Sequence, residues 1–321
     1  MPFWHANAYL RFLVSFPREL RQHPVDIFHA LFSVPLVTPC KVVLSLVEFG
    51  WFTNPGDFPA SRIFLEQLKM MTRFSIRRAD RIITATELVR QQLLEYFQSP
   101  PEKVEVVHHG FNEFFLGECD RADIECVKQK YRIPGEYLLS VGDLHPRKNL
   151  GRVIKAFGIL KEHYRIPHAL VLVGKNLWRT QEIYQAAATV SFREEILFTG
   201  YVLLEELRAL YRGASVLVFP SLDEGFGLPV QEAMASELPV VVSNRGALPE
   251  VAGNAALIVD PLDVEAISAA IWQILSNPSL AGQLIHRGKE QIKSFTWEAA
   301  CRKLLHIYHE LVPDISRNDP S

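Results

Sequence analysis

Short runs of β-branched and aliphatic residues alternate along the chain with longer segments whose apolar positions recur at three- and four-residue spacing. The short runs predict strands: Val25–His29, Lys41–Val47, Arg81–Ala85, Val104–His108, Tyr137–Val141, Ala169–Val173, Glu195–Thr199, Val216–Phe219, Val240–Ser243 and Ala256–Val259. Several are near-continuous Val, Ile and Leu, the pattern of strands covered on both faces. Between them Asn149–His163, Leu203–Arg212, Val264–Leu275 and Trp297–Leu311 predict amphipathic helices. Strand–helix alternation of this kind predicts an α/β protein with parallel sheets. Six strands follow Glu136, enough for one doubly wound unit, and only about four precede the stretch from Glu113. Glu113 to Glu136 has no strong strand, a charged middle and Pro134-Gly135 near its end, which suits an inter-domain connection. No fixed-period repeat or low-complexity tract interrupts the order.

Composition narrows the class. The 321 residues fit about two domains. A hydrophobic content of 48% and a charged content of 22% are those of a globular protein. With 34 Lys and Arg against 36 Asp and Glu, the net charge of −2 excludes a whole-chain electrostatic grip on nucleic acid. Cys40, Cys119, Cys126 and Cys301 form no CxxC pair and read as free thiols. The apolar start, Phe3 to Phe16, lacks a basic lead-in and is interrupted by Arg11, so it does not read as a targeting signal. No run reaches the roughly 18 uninterrupted apolar residues of a membrane span, and a cytoplasmic location is the default.

Two stretches carry candidate chemistry. Phe219-Pro-Ser-Leu-Asp-Glu-Gly-Phe-Gly-Leu-Pro-Val-Gln-Glu-Ala-Met-Ala235 follows a strand and opens a helix, with Pro229 suited to its first turn. Gly225 and Gly227 let backbone approach a ligand, and the helix N-terminus behind them favours a phosphate. Glu224 and Glu232 bracket this anion site, and each carboxylate can accept from two hydroxyls of a sugar or ribose. Taken alone, a Gly-rich turn before a helix with a dipole-stabilising Glu explains the stretch equally well. The second stretch, Leu139-Ser-Val-Gly-Asp-Leu-His-Pro-Arg-Lys-Asn149, brings Arg147 and Lys148 to a strand end before a helix that Asn149 would cap. A lone Arg-Lys pair is ordinarily solvated. Both stretches, however, lie at strand C-termini of one sheet, where open α/β folds bind ligands. Two cations, two carboxylates and a helix N-terminus there suit a nucleoside diphosphate joined to a sugar.

These residues resemble a known family. Val141-Gly-Asp-Leu-His-Pro-Arg-Lys-Asn149, Leu172-Val-Gly174, Phe198-Thr-Gly-Tyr201, Val218-Phe-Pro-Ser221, Glu224-Gly-Phe-Gly-Leu-Pro-Val-Gln-Glu-Ala-Met-Ala235, Leu248-Pro-Glu-Val251 and Phe295-Thr-Trp297 are similar to the C-terminal domain of family 4 retaining glycosyltransferases. Arg77-Arg-Ala-Asp-Arg-Ile-Ile-Thr-Ala85 and Val106-Val-His-His-Gly110 match the family's first domain more loosely. The resemblance implies the α/β GT-B architecture, two Rossmann-like doubly wound domains facing a cleft, the first one incomplete. The implied boundaries are 1–120 for an acceptor-side domain, 121–136 for a linker, 137–294 for a nucleotide-sugar domain, and 295–321 for a helix returning to the first domain. Arg147 and Lys148 would neutralise the donor diphosphate, Glu224 would hold a hydroxyl of the transferred hexose, and Glu232 the ribose hydroxyls. Gly142, Gly225, Phe226, Gly227 and Leu228 would line sugar and phosphate; Gly174, Lys175, Tyr201 and Val202 would neighbour the base. Arg147, Lys148 and Glu224 are thus the implied catalytic residues. The resemblance implies no metal and no cofactor beyond a nucleotide-sugar co-substrate, GDP-mannose or a UDP-hexose. The acceptor would be a glycan or lipid-linked sugar in cell-surface polysaccharide synthesis.

The sequence departs from the family in two places. Many relatives carry a His-Asp pair facing the acceptor; lining up Asn54-Pro-Gly-Asp-Phe58 with them puts Val47 and Glu48 there. Valine cannot take a proton, leaving His29, Glu48 and His109 as acceptor-side candidates. The opening strand and Gly-rich turn are also missing ahead of Met1, which a misplaced start, a gene fragment, a partner chain or real reduction would each explain. The alternative to an active enzyme is therefore a donor-binding remnant or accessory protein. A nicotinamide-type oxidoreductase fits poorly, because Gly225-Phe-Gly227 lacks a third small residue at the required spacing. Finally, Ser61–Arg81 reads as a helix whose Lys69, Arg73 and Arg77 form a basic face, either solvated or in peripheral contact with anionic lipid at the inner face of the plasma membrane.

Overall fold

In the computed structural model, residues 14–48, 50–53, 55–57 and 60–313 are described; most of the apolar opening segment lies outside them. The chain forms two compact units, Met1–Gly110 with Trp297–Ser321, and Phe111–Thr296.

The first unit contains α1 (Phe16–Gln22), β1 (Ile27–Leu31), β2 (Lys41–Ser45), α2 (Gly50–Thr53), α3 (Arg62–Arg78), β3 (Arg81–Thr84), α4 (Glu87–Phe97) and β4 (Val104–Val106). The four strands are parallel and lie in the order β1-β2-β3-β4, without reversal. Alternation within β2 and β3 sends Val42, Leu44 and Ile82 to one face, where they meet Leu65 and Ile76 of α3 and Leu93 of α4. Val43 and Ile83 go to the other face, which is covered from the far end of the chain by the final helix, Trp297–Leu311, through Ile307, Leu304 and Tyr308.

The second unit begins earlier than the expected 137. The segment 121–136, read from sequence as a linker, instead contains α5 (Arg121–Tyr131). Asp123 accepts the Asp120 N–H at its start, Val127 is buried, and Tyr131 donates to Glu206 at 2.7 Å. The charges that suggested a linker are the solvent face of this helix. After it come β5 (Tyr137–Val141), α6 (Leu150–His163), β6 (Ala169–Val173), α7 (Gln181–Ala188), β7 (Ile196–Gly200), α8 (Leu204–Gly213) and β8 (Val216–Phe219). The unit is completed by α9 (Leu228–Ala235), β9 (Val240–Ser243), α10 (Leu248–Ala252), β10 (Ala256–Val259), α11 (Val264–Ser276) and α12 (Pro278–Ile292). The final helix of the first unit is α13.

Six parallel strands run in the order β10-β9-β8-β5-β6-β7. Leu138, Leu170, Leu172, Val216 and Val218 pack against Ile154 and Phe157 of α6, Ile183 of α7 and Ile271 of α11. Leu139, Val171 and Leu217, on the opposite face, are equally buried. The strand order reverses between β5 and β8, and the carboxyl ends of strands at such a switch point are where open α/β folds bind ligands.

Candidate functional site

Glycines stand at the carboxyl ends of three strands of this sheet. Gly142, Gly174 and Gly200 end β5, β6 and β7, all at positive φ. At Gly174, with φ +149°, a Cβ would lie 2.1 Å from the Gly142 carbonyl oxygen, so no side chain fits. A Cβ on Gly142 would stand 3.0 Å from Cε of Lys148, whose stem crosses the glycine. The Lys148 ammonium then sits 4.6 Å from the centre of the Phe219 ring and 2.7 Å from Oε1 of Glu224.

Main-chain contacts fasten the β5 and β8 loops together. His145 Nδ1 accepts the Arg147 N–H at 3.1 Å, opening the short turn Pro146–Lys148. Leu222 donates its N–H to the Arg147 carbonyl at 2.8 Å. Arg147 returns Nη1 to the Asp223 carbonyl at 2.6 Å and to Glu224 Oε2 at 2.7 Å. Asn149 differs from its expected role as a helix cap. It is left-handed, φ +59°, and its amide bridges the carbonyls of Pro220 at 3.0 Å and Pro261 at 2.7 Å. From the β9 loop, Ala247 donates to the Glu224 carbonyl at 2.9 Å, and Gly246 packs so closely on Glu224 that a Cβ would meet its nitrogen at 2.5 Å.

Glu224 is therefore held by side chain and backbone, at 8% exposure. Burial alone would push its carboxyl up, but Lys148 and Arg147 outweigh burial and hold it below the ordinary carboxylate range. Each oxygen takes one cation: Oε2 meets Arg147 and Oε1 meets Lys148, both at 2.7 Å. The sequence-predicted trio of Arg147, Lys148 and Glu224 is brought together directly.

Glu232 lies in the second turn of α9, behind Gly227 (φ +100°) and exposed Leu228. Its Oε2 accepts the hydroxyl of Tyr211, a fully buried residue of α8, at 2.8 Å. Burial raises the Glu232 carboxyl, with the Tyr211 hydrogen bond opposing it. Phe226 is buried edge-on against Phe295, their ring centres 5.8 Å apart. On the other flank, beyond β6 and β7, the Lys175 ammonium sits 4.5 Å over the exposed Tyr201 ring, with Val202 buried beneath, and Trp178 lies 5.6 Å from His145. Tyr211 lies outside the quoted motifs, whereas His145 and Asn149 fall inside the stretch Leu139–Asn149, where Asn149 is expected only to cap a helix and His145 has no assigned role.

The acceptor-side candidates belong to the first unit and stand on three different segments of it. His29 lies in the middle of β1 rather than at its end, its Nδ1 2.6 Å from the Tyr308 hydroxyl and its Nε2 2.8 Å from Ser45 Oγ. Both ring nitrogens thus tie β1 and β2 to α13, and burial lowers its pKa. His109 is half-buried against Trp297, its pKa lowered by burial and by His108. Glu48 is exposed beyond β2, after half-buried Val47. Of the basic stretch Ser61–Arg81, Arg78 donates to the Thr38 and Cys40 carbonyls, Arg81 pairs with Glu310, and Lys69 with Glu66. Arg62, Arg73 and Arg77 remain exposed, beside exposed Ile63 and Met70.

Fold and site together define a doubly wound α/β protein with glycines and two cations at the strand ends of a topological switch point, the GT-B arrangement of glycosyltransferases. Residues 123–291 match the family described as Glycosyl transferases group 1, and residues 1–113 match Glycosyltransferase Family 4. Among curated relatives, O-antigen chain mannosyltransferase B of Escherichia coli is 32% identical over 84% of this chain and 70% of its own. O-antigen chain mannosyltransferase RfbU of Salmonella typhimurium is 29% identical over 70% of this chain, which spans 59% of that relative. Among solved structures, a glycosyltransferase from Rickettsia africae superposes with a TM-score of 0.78 at 19% identity, covering 97% of this chain and 82% of that one. Anabaena HepE, solved with UDP and glucose, superposes with a TM-score of 0.76 at 15% identity, covering 93% of this chain and 82% of its own. The chain belongs to the group 1, family 4 glycosyltransferases. Among the described residues, no helix is long and apolar enough to cross a membrane.

Proposed function

We propose that the protein is a retaining mannosyltransferase that moves mannose from GDP-mannose to a glycan or lipid-linked acceptor in O-antigen-type polysaccharide synthesis. The observation that carries this reading is the convergence of Arg147 and Lys148 on buried Glu224 at the switch point of the second sheet. The mannosyl and O-antigen assignments come from the similarity to the two O-antigen chain mannosyltransferases. Arg147 and Lys148, held beside Glu224, take the donor diphosphate. As the anomeric C–O bond breaks, negative charge grows on the leaving diphosphate, where the two fixed cations stabilise it. Glu224 then accepts from a hydroxyl of the transferred hexose and orients it, while Glu232 accepts from the ribose. Positive charge from the two side chains makes the step independent of metal. The leaving diphosphate oxygen takes the proton of the acceptor hydroxyl, whose oxygen bonds to the anomeric carbon on the face from which the diphosphate departs, so configuration there is retained.

The purified chain with GDP-mannose and a mannosylated lipid-linked acceptor is expected to release GDP. Arg147→Ala and Glu224→Ala should each lower kcat by at least about a hundredfold, as removal of a charge-stabilising group does. Wild-type protein that neither binds nor turns over GDP-mannose or UDP-hexoses would sink the proposal. Valine at position 47 and the engagement of both His29 nitrogens favour a second reading, a donor-binding protein without transfer activity. Donor binding by calorimetry without turnover across an acceptor panel would select it.

A further inference from the structure

The pairing of Tyr211 with Glu232 joins two helices through one buried hydrogen bond, and Tyr211 lies outside every motif named above. Tyr211 is fixed on all sides. Its ring meets Phe115 edge-on, centre to centre 5.5 Å at 87°. Its helix is held by the Tyr137 hydroxyl, which donates to the Leu210 carbonyl at 2.8 Å, and by Gly213, where a Cβ would strike that same hydroxyl at 2.7 Å. Held by these contacts, the Tyr211 hydroxyl donates to Oε2 of Glu232.

We propose that Tyr211 is a positioning residue for donor recognition: its buried hydroxyl holds one oxygen of Glu232 so that the other is presented to the ribose diol of the nucleotide. This rests on the reading of Glu232 as the ribose-binding carboxylate. Burial, then Glu232, raises the Tyr211 phenol well above its usual range, so it stays a donor at any working pH. Burial raises Glu232, and among the described residues Tyr211 is the group that opposes it. α9 packs against α10, α12, β8, β9 and the turn Glu113–Leu116, yet no charged group on these elements shifts Glu232. Removing the hydroxyl therefore leaves burial unopposed: the carboxyl becomes protonated at a higher pH and loses acceptor capacity as pH falls.

The test is calorimetric binding of GDP and of UDP at about pH 6 and about pH 8 to wild type, Tyr211→Phe and Glu232→Gln. Tyr211→Phe should bind about tenfold more weakly than wild type at the lower pH and within about threefold at the higher, the scale of one charge-assisted hydrogen bond. Glu232→Gln should be weak at both, and the double variant no weaker than Glu232→Gln alone. Glu232→Gln binding as tightly as wild type would overturn the ribose reading itself. Glu232→Gln weak, with Tyr211→Phe unchanged or weakened equally at both pH values, would overturn the role of Tyr211 and leave the ribose reading standing. Should Tyr211→Phe fail to fold, 3-fluorotyrosine at position 211, a stronger donor, should tighten binding at the lower pH; unchanged affinity there would overturn the proposal.

Discussion

Lys148 shows how one side chain is placed by three different physical constraints. Its stem needs the missing Cβ of Gly142, its ammonium faces the Phe219 ring, and its charge is met by Glu224. Because Lys148 and Arg147 depress the Glu224 carboxyl, the ion pairs contribute stability above the ordinary carboxylate pKa and lose it as pH falls toward the depressed one. Lys148→Met should destabilise the protein by about 1–3 kcal/mol at neutral pH, since Arg147 remains as a partner. Its melting temperature should approach the wild-type value as pH drops through the carboxylate range; a pH-independent gap between the two would contradict the coupling. Arg147, Lys148 and Glu224 were legible in the sequence because each sits in a contiguous, composition-marked stretch. Tyr211 was not, because a buried tyrosine on an amphipathic helix looks the same whether or not its hydroxyl has a task. Asn149 was misjudged for a related reason: an Asn before a helix is usually a cap, and only its left-handed backbone frees the amide to bridge Pro220 and Pro261.

At the scale of elements, β5, β6, β8, β9 and β10 match the sequence reading residue for residue; β2, β3 and β4 end one or two residues earlier, and β1 and β7 are displaced by two and one residues at both ends. Hydrophobic period and β-branching determine such elements locally. The helix α5 escaped because its buried stripe is narrow, with Val127 the buried residue among charges. The helix α3 is also partly reassigned. Of its expected basic face Lys69 pairs with Glu66 on the same helix, while Arg73 and Arg77 stay exposed with Arg62, Ile63 and Met70. We propose that this face meets anionic lipid, with three cations each contributing about 1 kcal/mol near the surface and two apolar side chains entering it. Sedimentation with phosphatidylglycerol vesicles should show binding at low salt that falls on adding salt and on the double substitution Arg73→Glu, Arg77→Glu. Binding that ignores both would sink the idea.

At the scale of the whole molecule, the chain closes on itself: α13, the last described helix, supplies the cover for one face of the sheet that the first strands build. Ile307 is fully buried there between Val43, Ile83 and Val107. Ile307→Ala should cost about 2–5 kcal/mol, measured as a lower urea midpoint. GDP affinity should stay within about twofold, because the donor-site residues belong to the other unit and the loss is one of packing. An unchanged midpoint would mean that α13 does not stabilise the first sheet. The sequence by itself determined the strands and helices, the α/β class, the family motifs and the chemical types at the site, since periodicity, turn residues and contiguous motifs are local properties. Tertiary structure alone decided which strands are neighbours, and with the order β10-β9-β8-β5-β6-β7 it brought Lys148 onto Glu224 across 76 residues of chain. It also decided that His29 is locked by Tyr308, that Tyr211 backs Glu232 and that 121–136 is a helix of the second unit. Those outcomes depend on which surfaces meet in space and on the burial that follows, and neither is written in the spacing of residues along the chain.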